Sequence, residues 1–412
     1  MKPFVLPSYR RPIVSLIVAG SCMLLLAACM AAPTDPAPTD EKIDLTLESS
    51  VPPEAAPLNT ATDAPEHAQP AAAATPPGEF KPSSLVKIEA PALENNLIGE
   101  KSQRSFWLYL PPSYPTSTAS YPVVYYLPGF GDSGMLGFQL PRDMDQLIED
   151  GKIEEMILVV VPGTNLLGGS FYVNSPVTGN WEDFIVHDVV GYVDSHYRTL
   201  AQSDSRGISG HSMGGFGALD IAMKHPDVFG AVYSLSPGLF DENGLAESHM
   251  FNSASTIDAF LDAQEQVLAK PPEEAQSAVL HMPDQFAVAY ASAFAPDPAS
   301  PPFYFDYPYS RVNGETVKDE SVWQRWESGF GGVRQEIAEH KDNLLRLKGL
   351  VIDVGDRDEY AWIPEGCTYY ADQLTAAGIP HELRTYDGRH QDQLASRIRQ
   401  HMLPFFSGLL ER

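Results

Sequence analysis

SRGISGHSMGGFGALDIAMKHP, Ser205 to Pro226, reads as a short strand, a very tight turn and a helix. Ile208 sits in the strand signal, and Phe216, Leu219, Ala222 and Met223 then recur at helical spacing. Where strand becomes helix, Gly210-His211-Ser212-Met213-Gly214 fits G-x-S-x-G, the turn that holds a serine hydroxyl proud of the end of a sheet strand. In a chain with this much Gly and Ser the pentapeptide also arises by chance, so the setting has to decide. The turn forces Ser212 into a strained backbone conformation, and side chains at 210 and 214 would collide with its neighbours, which accounts for glycine at both. Gly215 lets the helix lie close. Ser212 is therefore the candidate nucleophile, and His211 a neighbour that shapes the turn.

Outward from this stretch, strand and helix signals alternate. Leu85–Ile88 and Phe106–Leu110 suggest an antiparallel opening. Near-continuous apolar runs follow at Val123–Leu127, Met156–Val161, Arg206–Ser209, Ala231–Leu235 and Leu350–Val354, as in a parallel sheet covered on both faces. Helical signals fall at Arg142–Glu149, Trp181–Tyr197, Gly215–Lys224, Thr368–Ala377 and Leu394–Leu410. The pattern predicts one mostly parallel, doubly wound α/β domain over residues 81–412. Leu239–Gly349 is far longer than one crossover needs and leaves from the carboxyl end of a strand, so it predicts a cap over the site. Ile257, Phe260, Leu261 and Leu268 share a helical face there. The aromatic run Pro302–Tyr309 either lines a pocket for sugar or aryl groups or packs the cap onto the sheet.

A serine hydroxyl needs a base, and the base needs a third group to hold it. In a doubly wound sheet both partners come after the nucleophile. Leu350–Val354 runs into Gly355-Asp356-Arg357-Asp358, and Glu382–Tyr386 into Asp387-Gly388-Arg389-His390. Asp358, past the turn that Gly355 permits, is favoured as the acid, with Asp356 next and Asp353 inside the strand. His390, after a Gly turn at a strand end, is favoured as the base over His381 and His401. One oxyanion donor is expected at the Met213 amide, at the start of a helix. The second belongs to the loop Leu127–Asp132, where Pro128 has no N–H and Phe130 is flanked by glycines.

The amino end is an address. Lys2, Arg10 and Arg11 precede an apolar run, Ile13–Ala28, as in a secretory signal. Leu26-Ala27-Ala28-Cys29 resembles the bacterial lipobox, which implies a signal peptide over 1–28 and lipid on Cys29; Met30, in place of Asp, favours the outer membrane. Residues 29–80 form a Pro/Ala-rich tether too poor in apolar side chains to offset its ordering entropy. Cys22 leaves with the signal and Cys29 carries lipid, so Cys367 has no disulfide partner. The chain carries a formal net charge of −27. An acidic domain repels nucleic acid and anionic polymers, so a neutral or small substrate is expected, with plain solubility an equal account of the charge; through the anchor, a membrane is the other expected partner.

FWLYLPPSY, YPVVYYLPGFGDSG, WEDFIVHDVVGYVDSHYRT, GHSMGGFGALDIAMKHPDVFGAVYSLSPG, GDRDEY and YDGRHQDQL together resemble the "putative esterase" family of α/β-hydrolases, which includes esterase D, feruloyl esterases, enterochelin esterases and the antigen 85 mycolyltransferases. The resemblance covers Ser105–Pro237 and Leu350 to the end. It implies an α/β-hydrolase fold, with the nucleophile at Ser212, the acid at Asp358, the base at His390 and the oxyanion amides at Phe130 and Met213. Many members have His-Gly where this chain has Pro128-Gly129, which bears on what supports the first oxyanion donor. The reaction this resemblance implies is hydrolysis of an extracytoplasmic short-chain, acetyl or feruloyl-type ester, small-molecule or polysaccharide-linked, through an acyl-enzyme. Acyl transfer of the mycolyltransferase type, or a non-catalytic surface binding protein on the same fold, are the alternatives. With no His or Cys cluster at ligand spacing, neither metal nor organic cofactor is implied.

Overall fold

Eight strands form one sheet in the computed structural model, which describes residues 83–134 and 136–412. The expected signal peptide, Cys29 and the tether lie outside the described residues. The strands are β1 (Ser83–Glu89), β2 (Gln103–Tyr109), β3 (Val123–Leu127), β4 (Ile157–Val160), β5 (Arg206–His211), β6 (Ala231–Leu235), β7 (Gly349–Gly355) and β8 (Glu382–Tyr386). Their order across the sheet is β1-β2-β4-β3-β5-β6-β7-β8. β2 pairs antiparallel with β1 and β4, and every other pairing is parallel. This is the mostly parallel α/β-hydrolase sheet with an antiparallel opening.

The two faces follow from the two-residue period of a strand. Val123, Tyr125 and Leu127 of β3 enter one apolar layer with Ile208, Ile352 and Val354, while Val124 and Tyr126 enter the other with Tyr233 and Val351. The first layer is closed by helices at residues 181–196, Met213–Lys224 and Trp362–Ala377; the second by Leu136–Glu149 and residues 394–409. Both faces of β3 to β6 are buried, which is why β3, β4 and β6 read as near-continuous apolar runs, whereas β5, buried as well, carries Ile208 as its one large apolar residue.

Two helices begin earlier than the sequence suggests, and proline is the reason in both. Leu136–Glu149 runs through Pro141, and Trp362–Ala377 carries Pro364 in its first turn, where the missing N–H has no intrahelical acceptor to lose. Gly378 closes the latter in the left-handed conformation, with φ 73°. The helices at 181–196 and 394–409 each contain a π turn, Phe184–Val189 and Ile398–Met402.

Residues 239–349 are more helical than expected. Ala254–Leu268, Pro272–Val279, Gln285–Phe294, Glu320–Glu327 and Val333–Glu339 account for much of the segment, with an antiparallel hairpin of Tyr309–Val312 and Glu315–Lys318. Three of these helices are capped by side chains: Ser253 accepts from the Thr256 N–H, Asp284 from Ala287, and Asp319 from Ser321 and Val322. The insertion is tied to itself through buried hydroxyl and indole groups. The Tyr290 hydroxyl donates to Trp326 O at 2.9 Å and accepts from the Phe330 N–H at 2.9 Å; Trp326 Nε1 donates to Asp306 O. The Phe240 N–H bonds Phe330 O, joining the exit from β6 to the far part of the insertion.

Candidate active site

Four segments reach the carboxyl edge of the sheet from β3, β5, β7 and β8, and they meet. Ser212 follows β5 with φ 57° and ψ −117°, a region L-residues rarely occupy. The glycines around it are sterically required: a Cβ on Gly210 would lie 2.1 Å from Gly214 O, and one on Gly214 would lie 1.9 Å from Leu127 O. Gly215 is similarly confined, 2.8 Å from Leu235 O. The strained turn is held by the Ser212 N–H bonded to Leu235 O at 2.9 Å and by Ser212 O accepting from Phe216.

After β7, the sequence offered three aspartates, and the structure separates them. Asp353 lies in the strand, bound by Arg397 at 2.7 Å. Asp356 is exposed. The Asp358 side chain is buried; Oδ2 lies 2.6 Å from His390 Nδ1, and Oδ1 accepts from the Tyr360 N–H at 2.9 Å. The loop is shaped by close contact with the one after β8, since a Cβ on Gly355 would meet Gly388 O at 2.4 Å and the Arg357 N–H bonds Gly388 O. His390 is further fixed by its own N–H, which donates to Glu359 Oε2, and by its carbonyl, which accepts from His211 Nε2 at 2.9 Å. That bond makes Nε2 the protonated ring nitrogen of His211; burial, then the nearby His390, push its pKa down to about 3. His381 and His401 point elsewhere, one to Ile379 O and the other to Arg397.

Ser212, His390, His211, Met213, Gly129, Phe130 and Gly131 line one cavity of about 560 Å³. A Cβ on Gly129 would come within 3.4 Å of Ser212 Cβ, so the loop after β3 lies directly against the serine. Among the described residues neither the Phe130 nor the Met213 N–H has a protein acceptor, whereas the adjacent Gly131 N–H is committed to Gly168 O. Two uncommitted amides beside a serine hydroxyl can hold a developing oxyanion.

What supports the β3 loop, given Pro128, is a residue that sequence reasoning missed. The Tyr172 hydroxyl, fully buried, lies 3.0 Å from Pro128 O and 3.1 Å from Val161 O, and accepts from the Gly163 N–H. Phe171 and Tyr172 both have positive φ, 56° and 59°. Gly168 and Gly169 admit the Phe130 ring, because a Cβ at 169 would lie 2.5 Å from Phe130 Cδ2 and from Met213 Sδ. The Gly-Gly pair was the available signal for a close approach.

The aromatic run Pro302–Tyr309 contributes nothing to the cavity wall. Phe305 is buried and Tyr307 stacks on Phe260 at 4.1 Å, so the run packs the insertion. The cap residues that do reach the cavity are His249, Phe286 and Phe330, opposite Tyr360 and Trp362. Among the described residues Cys367 is a buried free thiol. Glu336, Glu339 and His340 bring three possible ligand atoms within 4.8 Å of one another, but none of them lines the cavity of Ser212.

A serine elbow after the fifth strand of such a sheet, met by loops from the third, seventh and eighth, defines the α/β-hydrolase class. A family model described as "Putative esterase" matches residues 100–394, well over half of the sequence, and the chain belongs to that family. It is 35% identical over 133 residues to an esterase of Mycobacterium tuberculosis, covering 31% of this chain and 27% of that protein. It is 29% identical over 163 residues to an endo-1,4-beta-xylanase/feruloyl esterase of Xylanibacter ruminicola, covering 34% and 22%. The chain thus spans about a quarter of the length of these curated relatives. A solved structure titled ferulic acid esterase superposes with a TM-score of 0.51 at 21% identity, over 80% of this chain and 99% of that one, which speaks for the fold.

Proposed function

We propose that this protein is a serine carboxylic ester hydrolase working through an acyl-enzyme. His390 Nε2 takes the Ser212 proton as the hydroxyl oxygen attacks the ester carbonyl, and Asp358 orients the imidazole and stabilises its charged form. The Phe130 and Met213 amides receive the oxyanion. His390 then protonates the departing alcohol, and a water that it deprotonates releases the acid. The observation that carries this reading is the 2.6 Å Asp358–His390 contact, with His390 lining the same cavity as a serine on a strained elbow and two uncommitted amides. Labelling with a fluorophosphonate tests it: the wild-type protein should be modified at Ser212 and lose turnover, whereas Ser212→Ala should take no label and should lack turnover before any treatment. Labelling that survives in Ser212→Ala would refute the assignment.

For the substrate, the aromatic wall of Phe130, Phe286, Phe330, Tyr360 and Trp362 favours an acyl group with a flat or apolar body. The xylanase/feruloyl esterase relative is in keeping with acetyl or feruloyl-type esters on polysaccharide. Leu26-Ala27-Ala28-Cys29 supports an envelope enzyme anchored by lipid on Cys29. Incorporation of an alkyne-tagged fatty acid that is lost in Cys29→Ser would support the anchor; equal labelling would oppose it.

A further inference from the structure

Next to the site lies a second cavity of about 220 Å³, with Phe216, Leu219, Phe294 and Val333 on its apolar side and Asn174, Asp220, Lys224, Ser328 and Glu336 among its polar lining. Its volume is below that of typical stand-alone ligand sites, roughly 300–1,000 Å³, whereas the cavity containing Ser212 falls inside that range. Phe330 is the residue common to the two linings. Its ring packs on residues of both sides: Phe216 at 4.8 Å and Phe294 at 6.0 Å toward the rear, Trp362 at 6.0 Å and Phe286 at 6.5 Å toward the front. A Cβ on Gly238, which lines the front cavity and whose N–H donates to Ser212 O, would lie 2.4 Å from the ring. One aromatic ring therefore lies between a small second cavity and the cavity of the reacting serine.

Resting on the esterase reading, we infer that Phe330 is a specificity-determining residue that sets the acyl-length limit, and that the rear cavity is the blocked continuation of the acyl pocket. A straight alkyl chain suits the apolar side of the rear cavity, formed by Phe216, Leu219, Phe294 and Val333. Its length is limited by the polar groups that share the lining, among them the Lys224–Asp220 ion pair, at 2.8 Å, and the buried Tyr370 hydroxyl, which has no partner among the described residues, because covering such groups with methylenes is costly.

Phe330→Ala tests this, with Phe330→Leu as a milder opening that preserves more of the packing. Two readouts are needed. The ratio of kcat/KM for p-nitrophenyl octanoate to that for the acetate should rise at least about tenfold in the opened variants, since a few extra buried methylenes suffice for that discrimination. Adding Val333→Phe to Phe330→Ala refills the rear chamber and should lower the ratio again. Independently of turnover, octanoate should raise the melting temperature of the opened variants more than that of the wild-type protein. Folded variants with an unchanged ester ratio and an unchanged octanoate shift would overturn the inference. If the wild-type protein cleaves no ester, the hydrolase reading fails by itself, and the octanoate shift still decides whether Phe330 divides one pocket.

Discussion

Asp353 and Asp358 belong to the same segment, and both side chains are fully buried, yet they face different worlds. Asp353, within β7, meets the terminal helix: Arg397 donates to both of its oxygens at 2.7 to 2.9 Å, and the Tyr233 hydroxyl adds a third donor. Asp358, on the loop beyond, meets one imidazole and one backbone N–H at the rim of the cavity. Burial and a nearby nitrogen partner describe both. What differs is the partner. A guanidinium does not give up its proton in a protein, so the Asp353 pair is a fixed bolt between sheet and helix; an imidazole exchanges protons near neutrality, so the Asp358 pair can take part in a reaction. A catalytic carboxylate is marked by the chemistry of its partner and by that partner's access to a cavity, not by its own burial.

Asp358→Asn is the strongest test of that distinction. The amide keeps the shape but favours the wrong imidazole tautomer, and kcat should fall by about 10³ to 10⁴ with KM little changed and the melting temperature nearly preserved. Asp353→Asn should do the reverse. Removing one charge of a buried pair leaves the guanidinium uncompensated, and stability measured by urea unfolding should drop by about 3–5 kcal/mol while the folded enzyme keeps kcat within a few-fold. If Asp353→Asn abolished turnover in a protein of normal stability, the two carboxylates would not be divided as argued.

Legibility in the sequence follows the same physical line. The elbow could be read because its constraints are local: glycines at 210, 214 and 215 are each excluded from carrying a Cβ by backbone oxygens close by in the fold. The sheet could be read because β3, β4 and β6 are buried on both faces and leave near-continuous apolar runs. Choosing among Asp353, Asp356 and Asp358 from residue type was possible only in part, since what separates them is a long-range partner, Arg397, solvent or His390. The insertion was the least legible. Its aromatic residues are held by one another, so nothing local told Phe286 and Phe330, which reach the cavity, from Phe305 and Tyr307, which do not. Tyr172 was invisible for a related reason, because its hydroxyl acts on Pro128 and Val161, remote in the chain.

His211 extends the contrast between fixed and exchangeable protons to stability. Its folded pKa of about 3 lies below the ordinary histidine value near 6.5, so between those limits the unfolded chain binds more protons than the folded one. Stability supported by the neutral ring is complete above about pH 6.5 and is lost as the pH falls toward 3, by up to a few kcal/mol. His211→Gln keeps a donor for His390 O without the titration. The difference in urea-unfolding free energy between pH 7.5 and pH 4.5 should be smaller in the variant than in the wild-type protein. Equal slopes would show that His211 is charged or solvated in the folded state.

The smallest effect expected is at Tyr172, and it bears on whether a residue outside the cavity can position one of its donors. Tyr172→Phe removes the hydroxyl that joins Pro128 O, Val161 O and the Gly163 N–H while keeping the ring. Leaving those buried groups short of a partner costs about 1–3 kcal/mol. Because Pro128 precedes the loop that carries the Phe130 amide, part of that loss should appear in the transition state. A roughly tenfold fall in kcat with KM unchanged fits loosened support of the oxyanion donor. A fall in melting temperature with kcat intact would reduce Tyr172 to a packing residue, and the donor would then owe its position to Gly129 and to the Gly168–Gly169 seat of the Phe130 ring.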